Sequence, residues 1–496
     1  MKGYGEYMDK KRLSGADKAA YGIGAVGKDM VYMLSASYVL YYFQDLLKVN
    51  SVAMGIILLA ARVFDAFNDP IMGIVVAKTH TRWGRFRPWL FIGTVTNAVV
   101  LFVMFACPPD LSPSGLVAYA AITYILWGVT YTMMDIPYWS MIPAFTKGGK
   151  EREGLTTLAR SCAGVGSALV TIFTVMIVQR IASLYEGTGL SNAAREILGF
   201  KWFALIIAIC FVVFITVTCL KIKEESLVDM KSASVGEMFR ALVTNDQAMT
   251  VVIAIVLINT SIYITSNLVI YFFKYDFGGV GWGDSYTYFN MFGGAIQILS
   301  MMIAYPLLRK FMTNIRIFYL CIASAVTGYA ALFIIAFTKM GTVFILFIPG
   351  FFIFAANGVL QVITTVFLAN TVDYGEMKNG RRDESVIFSM QTFVVKLASG
   401  IAAFAASICL QINNLQGGTA DTSEKIDYSL GVASSAKFGL RMTMAVIPIA
   451  GLFIALFVFW KKYILTDAKL AEISGDLEKK KAAAAGTHGA DVRKPL

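Results

Sequence analysis

Apolar stretches long enough to cross a bilayer recur along almost the whole chain, and this constrains its fold more than any other feature. A spanning helix needs about 20 mostly apolar residues. Windows of that kind fall at 20–47, 52–77, 88–107, 114–144, 154–183 and 200–222, and again at 248–273, 285–308, 315–338, 342–370, 384–411 and 438–460. In lipid only helices and closed barrels satisfy their own backbone polar groups, and windows of this length predict helices. With 57% of its 496 residues hydrophobic, the chain reads as an all-α membrane protein. The polar segment 223–247, with Lys223, Glu224, Glu225, Lys231 and Arg240, divides the windows into two sets of six. The expected organisation is a leader (1–19), a six-helix bundle (20–222), a middle loop (223–247), a second six-helix bundle (248–460) and a partly disordered tail (461–496). Two such bundles joined by a linker are typical of secondary transporters. The halves share no obvious sequence identity, so the repeat rests here on topology alone.

Charge gives the orientation. Basic residues collect in every second loop: Lys10, Lys11 and Arg12; Arg82, Arg85 and Arg87; Lys147, Lys150 and Arg152; Arg309, Lys310 and Arg316; Lys378, Arg381 and Arg382. The opposite loops are poor in them, and Cys107-Pro-Pro-Asp-Leu-Ser-Pro-Ser-Gly115 has none. By the positive-inside rule both termini are cytoplasmic, in a bacterial inner membrane. The net charge of +11 is thus a matter of loop placement, and no clustered basic face points to nucleic acid. No cleavable signal peptide is expected, because the first apolar run follows a basic leader and continues as a span. The six cysteines lie in or beside apolar windows without CxxC spacing, which fits reduced packing residues. The tail, with Lys479-Lys-Lys-Ala-Ala-Ala-Ala485, is expected to form a short helix that frays.

Two motifs imitate enzymes. Gly22-Ile-Gly24-Ala-Val-Gly27-Lys28-Asp29 contains GxGxxG, yet a phosphate loop needs a preceding strand, and this one opens a membrane helix. Its small residues fit close helix packing. Tyr275-Asp276 and Gly281-Trp-Gly283-Asp284 imitate a protease carboxylate dyad, but they are expected in one Gly-rich external loop rather than on facing helices at depth.

The chemistry lies in the charges inside the windows. An ionisable side chain at the bilayer centre costs roughly 2.5–3.5 kcal/mol on insertion scales and normally faces a partner or a wet cavity. Asp65, Asn68 and Asp69 at i, i+3 and i+4 share one helical face, and Arg62 is a local salt-bridge partner for the first of them. Thr132, Asp135 and Trp139 share a face of the fourth span at matching depth. Carboxylate, amide and hydroxyl oxygens suit a small hard cation. Lys28, Asp29, Asp135, Trp139 and Arg160 offer charge-assisted hydrogen bonds and a flat aromatic face, which a sugar needs. Trp139 also fits an interfacial anchor.

Gly24-Ala-Val-Gly-Lys28-Asp29, Arg62-Val-Phe-Asp65-Ala-Phe-Asn68-Asp69-Pro-Ile-Met-Gly73, Arg82-Trp-Gly-Arg85-Phe-Arg-Pro-Trp89, Thr132-Met-Met-Asp135-Ile-Pro-Tyr-Trp139 and Asp373-Tyr-Gly-Glu376 resemble the motifs of the glycoside–pentoside–hexuronide:cation symporters. The resemblance implies the major facilitator fold and a transporter without enzymatic activity or resident cofactor. It implies a cation site at Asp65, Asn68, Asp69 and Thr132, with Asp135 between cation and sugar. Sugar contacts are implied at Lys28, Asp29, Asp135, Trp139, Arg160 and Lys396, and Gln361 is expected among the sugar-binding residues by its position. Arg152 and Arg382 resemble parts of a cytoplasmic charge network that keeps the outward-open state closed inside. Gln361 stands where the resemblance leads us to expect an aromatic of the sugar cavity, and Asn370 where we expect an acid. The expected function is symport of a galactoside such as melibiose, driven by Na⁺, with H⁺ and Li⁺ served by the same carboxylates. The expected working unit is a monomer in the lipid bilayer. Pentosides, glucuronides or an amphipathic lipid are alternative cargoes, and a non-transporting sugar sensor is a second alternative.

Overall fold

The computed structural model describes residues 13–108, 110–145, 149–224, 235–338, 341–379, 384–415, 427–473 and 475–476. Among them the backbone is helical, apart from turns and one isolated bridge between Thr81 and Gly84. The long helices are α1 Gly15–Leu40, α2 Ser51–Lys78, α3 Arg87–Phe105, α4 Pro113–Ser140, α5 Gly149–Ser183 and α6 Asn192–Lys221. The second six are α7 Asp246–Phe272, α8 Trp282–Leu299, α9 Asn314–Ile335, α10 Phe347–Asn379, α11 Glu384–Ile412 and α12 Ser434–Lys462. A further helix, Val235–Thr244, occupies the middle loop, and residues 467–473 of the tail are helical. Among the described residues, 11 helices are long and apolar enough to span a membrane. The remaining long helix, α1, is diluted by Lys28, Asp29 and its glycines and tyrosines, and it is shielded by packing against α5 and α6.

Local sequence explains the ends. Ser14 and Asp17 form a capping box on α1, while Asn50, Ser112, Ser191 and Asn245 cap α2, α4, α6 and α7 through their side chains. Because Ser191 supplies a cap, α6 starts at Asn192, well ahead of the apolar window at 200–222, and it carries Arg195 and Glu196 into the fold. Three helices run into π-helical turns, α1 at Tyr41–Leu46, α7 at Phe273–Phe277 and α8 at Ser300–Ala304. The second of these corrects an expectation: Tyr275 and Asp276 are buried in helix, not in an external loop, and Asp284 lies in the first turn of α8. Many polar residues in the spans simply return a hydrogen bond to their own helix, as Thr94 does to Leu90 and Thr364 to Leu360. Large apolar side chains such as Ile122, Val99 and Phe457 point outward, as a lipid-facing surface requires.

The halves repeat one packing scheme. In the first, α1 packs on α5 and α6, α2 on α4, and α3 on α4 and α6. In the second, α7 packs on α11 and α12, α8 on α10, and α9 on α10 and α12. The two sets meet along α2–α11 and α5–α8. Val39-Leu40-Tyr41-Tyr42-Phe43 and Val269-Ile270-Tyr271-Phe272-Phe273, at equivalent helix ends, are a trace of the repeat.

Glycine sets how closely α1 approaches its neighbours. A Cβ on Gly24 would lie 2.3 Å from Thr218 Oγ1, and one on Gly166 would lie 2.3 Å from the Val26 carbonyl oxygen, which is backbone and cannot give way. This accounts for the GxGxxG run as a packing surface. We expect Gly166→Val to destabilise the protein by about 1–3 kcal/mol through overpacking. Gly164→Val, with nothing within 4 Å of its Cβ, is the control. Thermal unfolding in detergent checks the difference, and equal melting temperatures would refute the packing account.

Candidate functional site

Two polar clusters lie side by side in the middle of the helices. In the first, α1 contributes Lys28 and Asp29, α4 contributes Tyr131, Asp135 and Trp139, and α5 contributes Arg160. Lys28 Nζ lies 2.8 Å from Asp29 Oδ1 and 2.8 Å from Asp135 Oδ1, and it donates to the Tyr131 hydroxyl at 3.3 Å. The Trp139 indole N–H donates to Asp135 Oδ1 at 3.1 Å, which fixes the ring. The Arg160 guanidinium stacks 4.2 Å from the ring centroid of Trp139. Lys28 is sealed, with 4% of its side chain accessible, whereas Asp135 keeps 27%. A carboxylate held by a buried ammonium, with one side open beside an indole and a guanidinium, is suited to grip hydroxyl groups against an aromatic face.

The second cluster joins α2, α4 and α11. Thr132 Oγ1 donates to Asp69 Oδ1 at 3.0 Å, and Lys396 Nζ is paired with the other Asp69 oxygen. Asp65 is engaged by Arg62 at 3.3 Å, and both side chains are nearly sealed. Arg62 lies between the rings of Tyr32 and Tyr124, 5.8 Å from each centroid. Gly128 of α4 leaves room for Asp65: a Cβ there would meet Asp65 Oδ1 at 2.8 Å. The Asn68 amide nitrogen is buried and has no hydrogen-bond partner among the described residues. Such an amide can turn its oxygen toward a cation, and its unmet polarity is the kind of feature a ligand relieves.

The structure therefore brings Asp69 and Thr132 into direct contact, with Asp65 and Asn68 on the same helix, and separately joins Lys28, Asp29, Asp135 and Trp139, with Arg160 on the indole. It pairs Lys396 with Asp69 rather than with the sugar set, although Lys396 lies within electrostatic reach of Asp65 and Asp135 as well. Gln361, expected in the sugar set, is exposed on α10, and among the described residues no side-chain hydrogen bond or ion pair joins it to either cluster. Arg382 and the side chain of Arg152 lie outside the described residues. Three aromatic partners went unnoticed in the sequence: Tyr32, Tyr124 and Tyr131. The signal was present, since Tyr124, Gly128, Tyr131 and Asp135 recur at helical spacing along one side of α4.

A helical membrane protein of two repeated bundles, with paired charges at their junction, is the class to which transporters of the major facilitator fold belong. Among solved structures, a bacterial homolog of the human lysosomal transporter Spinster, in an inward-facing and unoccupied conformation, superposes with a TM-score of 0.62 at 12% identity, covering 91% of this chain and 97% of that one. Residues 20–467 match the family described as MFS/sugar transport protein, and the chain belongs to that family. It is 27% identical to the lactose permease of Lactobacillus delbrueckii subsp. bulgaricus, over 95% of this chain and 73% of that protein. It is 26% identical to the putative glycoside/cation symporter YagG of Escherichia coli, over 95% and 96% of the two chains. It is 24% identical to the isoprimeverose transporter of Lactiplantibacillus pentosus, over 85% of each. The protein is thus a multi-pass membrane transporter of a sugar family and not an enzyme.

Proposed function

We propose that the protein is a Na⁺-coupled glycoside symporter that works by alternating access, with its termini in the cytoplasm, and that it carries a galactoside such as melibiose. The observation that carries this reading is the position of α4 between the two clusters. Thr132 touches Asp69, and one helical turn later Asp135 holds Lys28 and Trp139. The cation occupies the face of Asp65, Asn68, Asp69 and Thr132, and the sugar lies against Trp139 between Asp135, Asp29, Lys28 and Arg160. A cation arriving at Asp69 competes with the Lys396 ammonium. Freed from that pair, Lys396 turns toward Asp135 and the sugar. Cation binding then improves the sugar site, and by linkage the sugar raises cation affinity by the same factor. The driving force is ample, since one charge moving down 100 mV supplies about 2.3 kcal/mol.

Charge balance supports a small cation as the partner. Asp29, Asp65, Asp69 and Asp135 face Lys28, Arg62, Arg160 and Lys396, so the loaded site gains the one charge that the membrane potential acts on. Lactose and isoprimeverose, the sugars in two relatives' names, make disaccharide glycosides the first class to try. The test is uptake into vesicles of a panel of glycosides, including melibiose, lactose, isoprimeverose and a glucuronide, with and without Na⁺ at fixed pH. Na⁺-stimulated uptake of a galactoside is the expected result. Stimulation by a pH gradient alone would replace Na⁺ with H⁺, and binding without uptake or counterflow would replace transport with sensing.

A further inference from the structure

Away from the transport clusters, a second set of buried charges lies at the end of the bundles opposite the chain termini. Asp45, in the π-helical end of α1, faces Lys274, in the π-helical end of α7, with Nζ 2.5 Å from Oδ2. Only 4% of the Lys274 side chain and none of the Asp45 side chain is accessible. Tyr275 donates to the other Asp45 oxygen. Lys274 also donates to the Tyr41 hydroxyl at 2.9 Å, and Tyr41 in turn donates to Glu196 Oε1 at 2.8 Å. The ring of Tyr428 lies 4.7 Å from the ammonium. Beneath this set the Tyr38 and Tyr286 hydroxyls, also from opposite halves, are 3.2 Å apart.

We propose that the Asp45–Lys274 pair is a latch that closes this face, which the orientation proposed above makes the outer one, and sets the balance between the closed and open forms. Three arguments support it. The pair joins the two halves directly, whereas the described ion pairs Lys378–Asp246 and Arg309–Asp467, near the other end, each stay within the second half. The turn that carries Lys274 is also braced from its own half. Arg441 grips Asp276, next to Tyr275, through two bonds of 2.7 and 2.6 Å, so the turn carrying Lys274 is fixed to α12. Finally, the chemistry suits a contact that must break repeatedly. A buried ion pair adds little stability over an apolar one, but removing one partner strands a charge. When the halves part, both charges regain water together, so full opening is inexpensive while partial opening is not. An apolar seal would instead expose its surface to water in the open state.

The test is a distance measurement by pulsed electron paramagnetic resonance on the full-length chain in lipid nanodiscs, with the six native cysteines replaced. Spin labels go at Leu184 and Leu430, which are 79% and 84% exposed on this face in different halves. Lys274→Met leaves Asp45 and Glu196 buried without their ammonium, and we expect the ratio of long to short distances to rise about tenfold or more. Asp45→Asn should give a smaller rise, because Lys274 keeps its link through Tyr41 to Glu196. Exchanging the charges, Asp45→Lys with Lys274→Asp, should return the ratio toward that of the parent. Unchanged distances in both single variants, or an exchange variant no better than Lys274→Met, would overturn the latch. If Lys274→Met fails to give monodisperse protein, the milder Asp45→Asn and the exchange variant decide. The measurement requires neither cargo nor a known orientation, so its failure is separable from failure of the transport reading.

Discussion

Under the proposed Na⁺ coupling, the expected result for the Asp69→Cys protein is complete loss of Na⁺ stimulation of sugar uptake. Asp69 is the one carboxylate of the second cluster that is both accessible, at 25%, and in contact with two groups the coupling requires: Thr132 on α4 and Lys396 on α11. Asp65 is different, being sealed with Arg62. Replacing Asp69 removes the carboxylate that attracts the cation and leaves the Lys396 ammonium uncompensated in a partly buried position. Here the stranded group is Lys396, whose ammonium then repels an incoming cation from the space it needs. On both grounds cation affinity should fall by about a hundredfold or more. By the coupling proposed above, the Lys396 released in this variant is free to turn toward Asp135, so sugar binding without Na⁺ should be retained or strengthened while its response to Na⁺ is lost. Labelled-sugar binding and uptake, each titrated with Na⁺, separate these effects, and intact Na⁺ stimulation would remove Asp69 from the cation site.

The second large effect is expected at Asp135. Asp135→Asn keeps the shape and an oxygen for the Trp139 indole, but Lys28 loses one of the two carboxylates that compensate it in a nearly sealed position. The half-open oxygen that would accept a sugar hydroxyl also loses its charge. We expect sugar affinity to fall by about a hundredfold or more on the same argument. Na⁺ binding in the absence of sugar should be affected far less. Because linkage is reciprocal, the sugar should then no longer raise Na⁺ affinity in this variant. Isothermal titration of Na⁺ with and without sugar reads both quantities. Undiminished enhancement by sugar would mean that α4 is not the coupling element.

The spans were legible because each is a simple count of apolar residues against bilayer thickness. The exceptions are instructive. The start of α6 was hidden because Arg195 and Glu196 look like loop residues until Ser191 is seen capping a helix through them. Tyr275 and Asp276 read as loop because Gly278–Gly281 follow, whereas a π-helical turn carries them inside. Among the site residues, Asp65, Asn68, Asp69, Thr132 and Asp135 stood out because charge at membrane depth is expensive. The tyrosines around them did not, since an aromatic residue in an apolar window is ordinary. Lys396 was legible only through the family resemblance, and its attachment to Asp69 was not foreseen.

The sequence by itself determined an all-α membrane transporter: the apolar windows, the alternation of basic loops and the intramembrane acids follow from the energetics of bilayer insertion, which acts locally along the chain. Only the tertiary structure decided which charge pairs with which. Asp69 has Lys396 across the junction of the halves, Asp65 has Arg62 on its own helix, and Asp45 has Lys274 across the halves at the end opposite the chain termini. Pairing in a low-dielectric interior depends on distances of a few ångströms between helices far apart in sequence, and no local pattern encodes them.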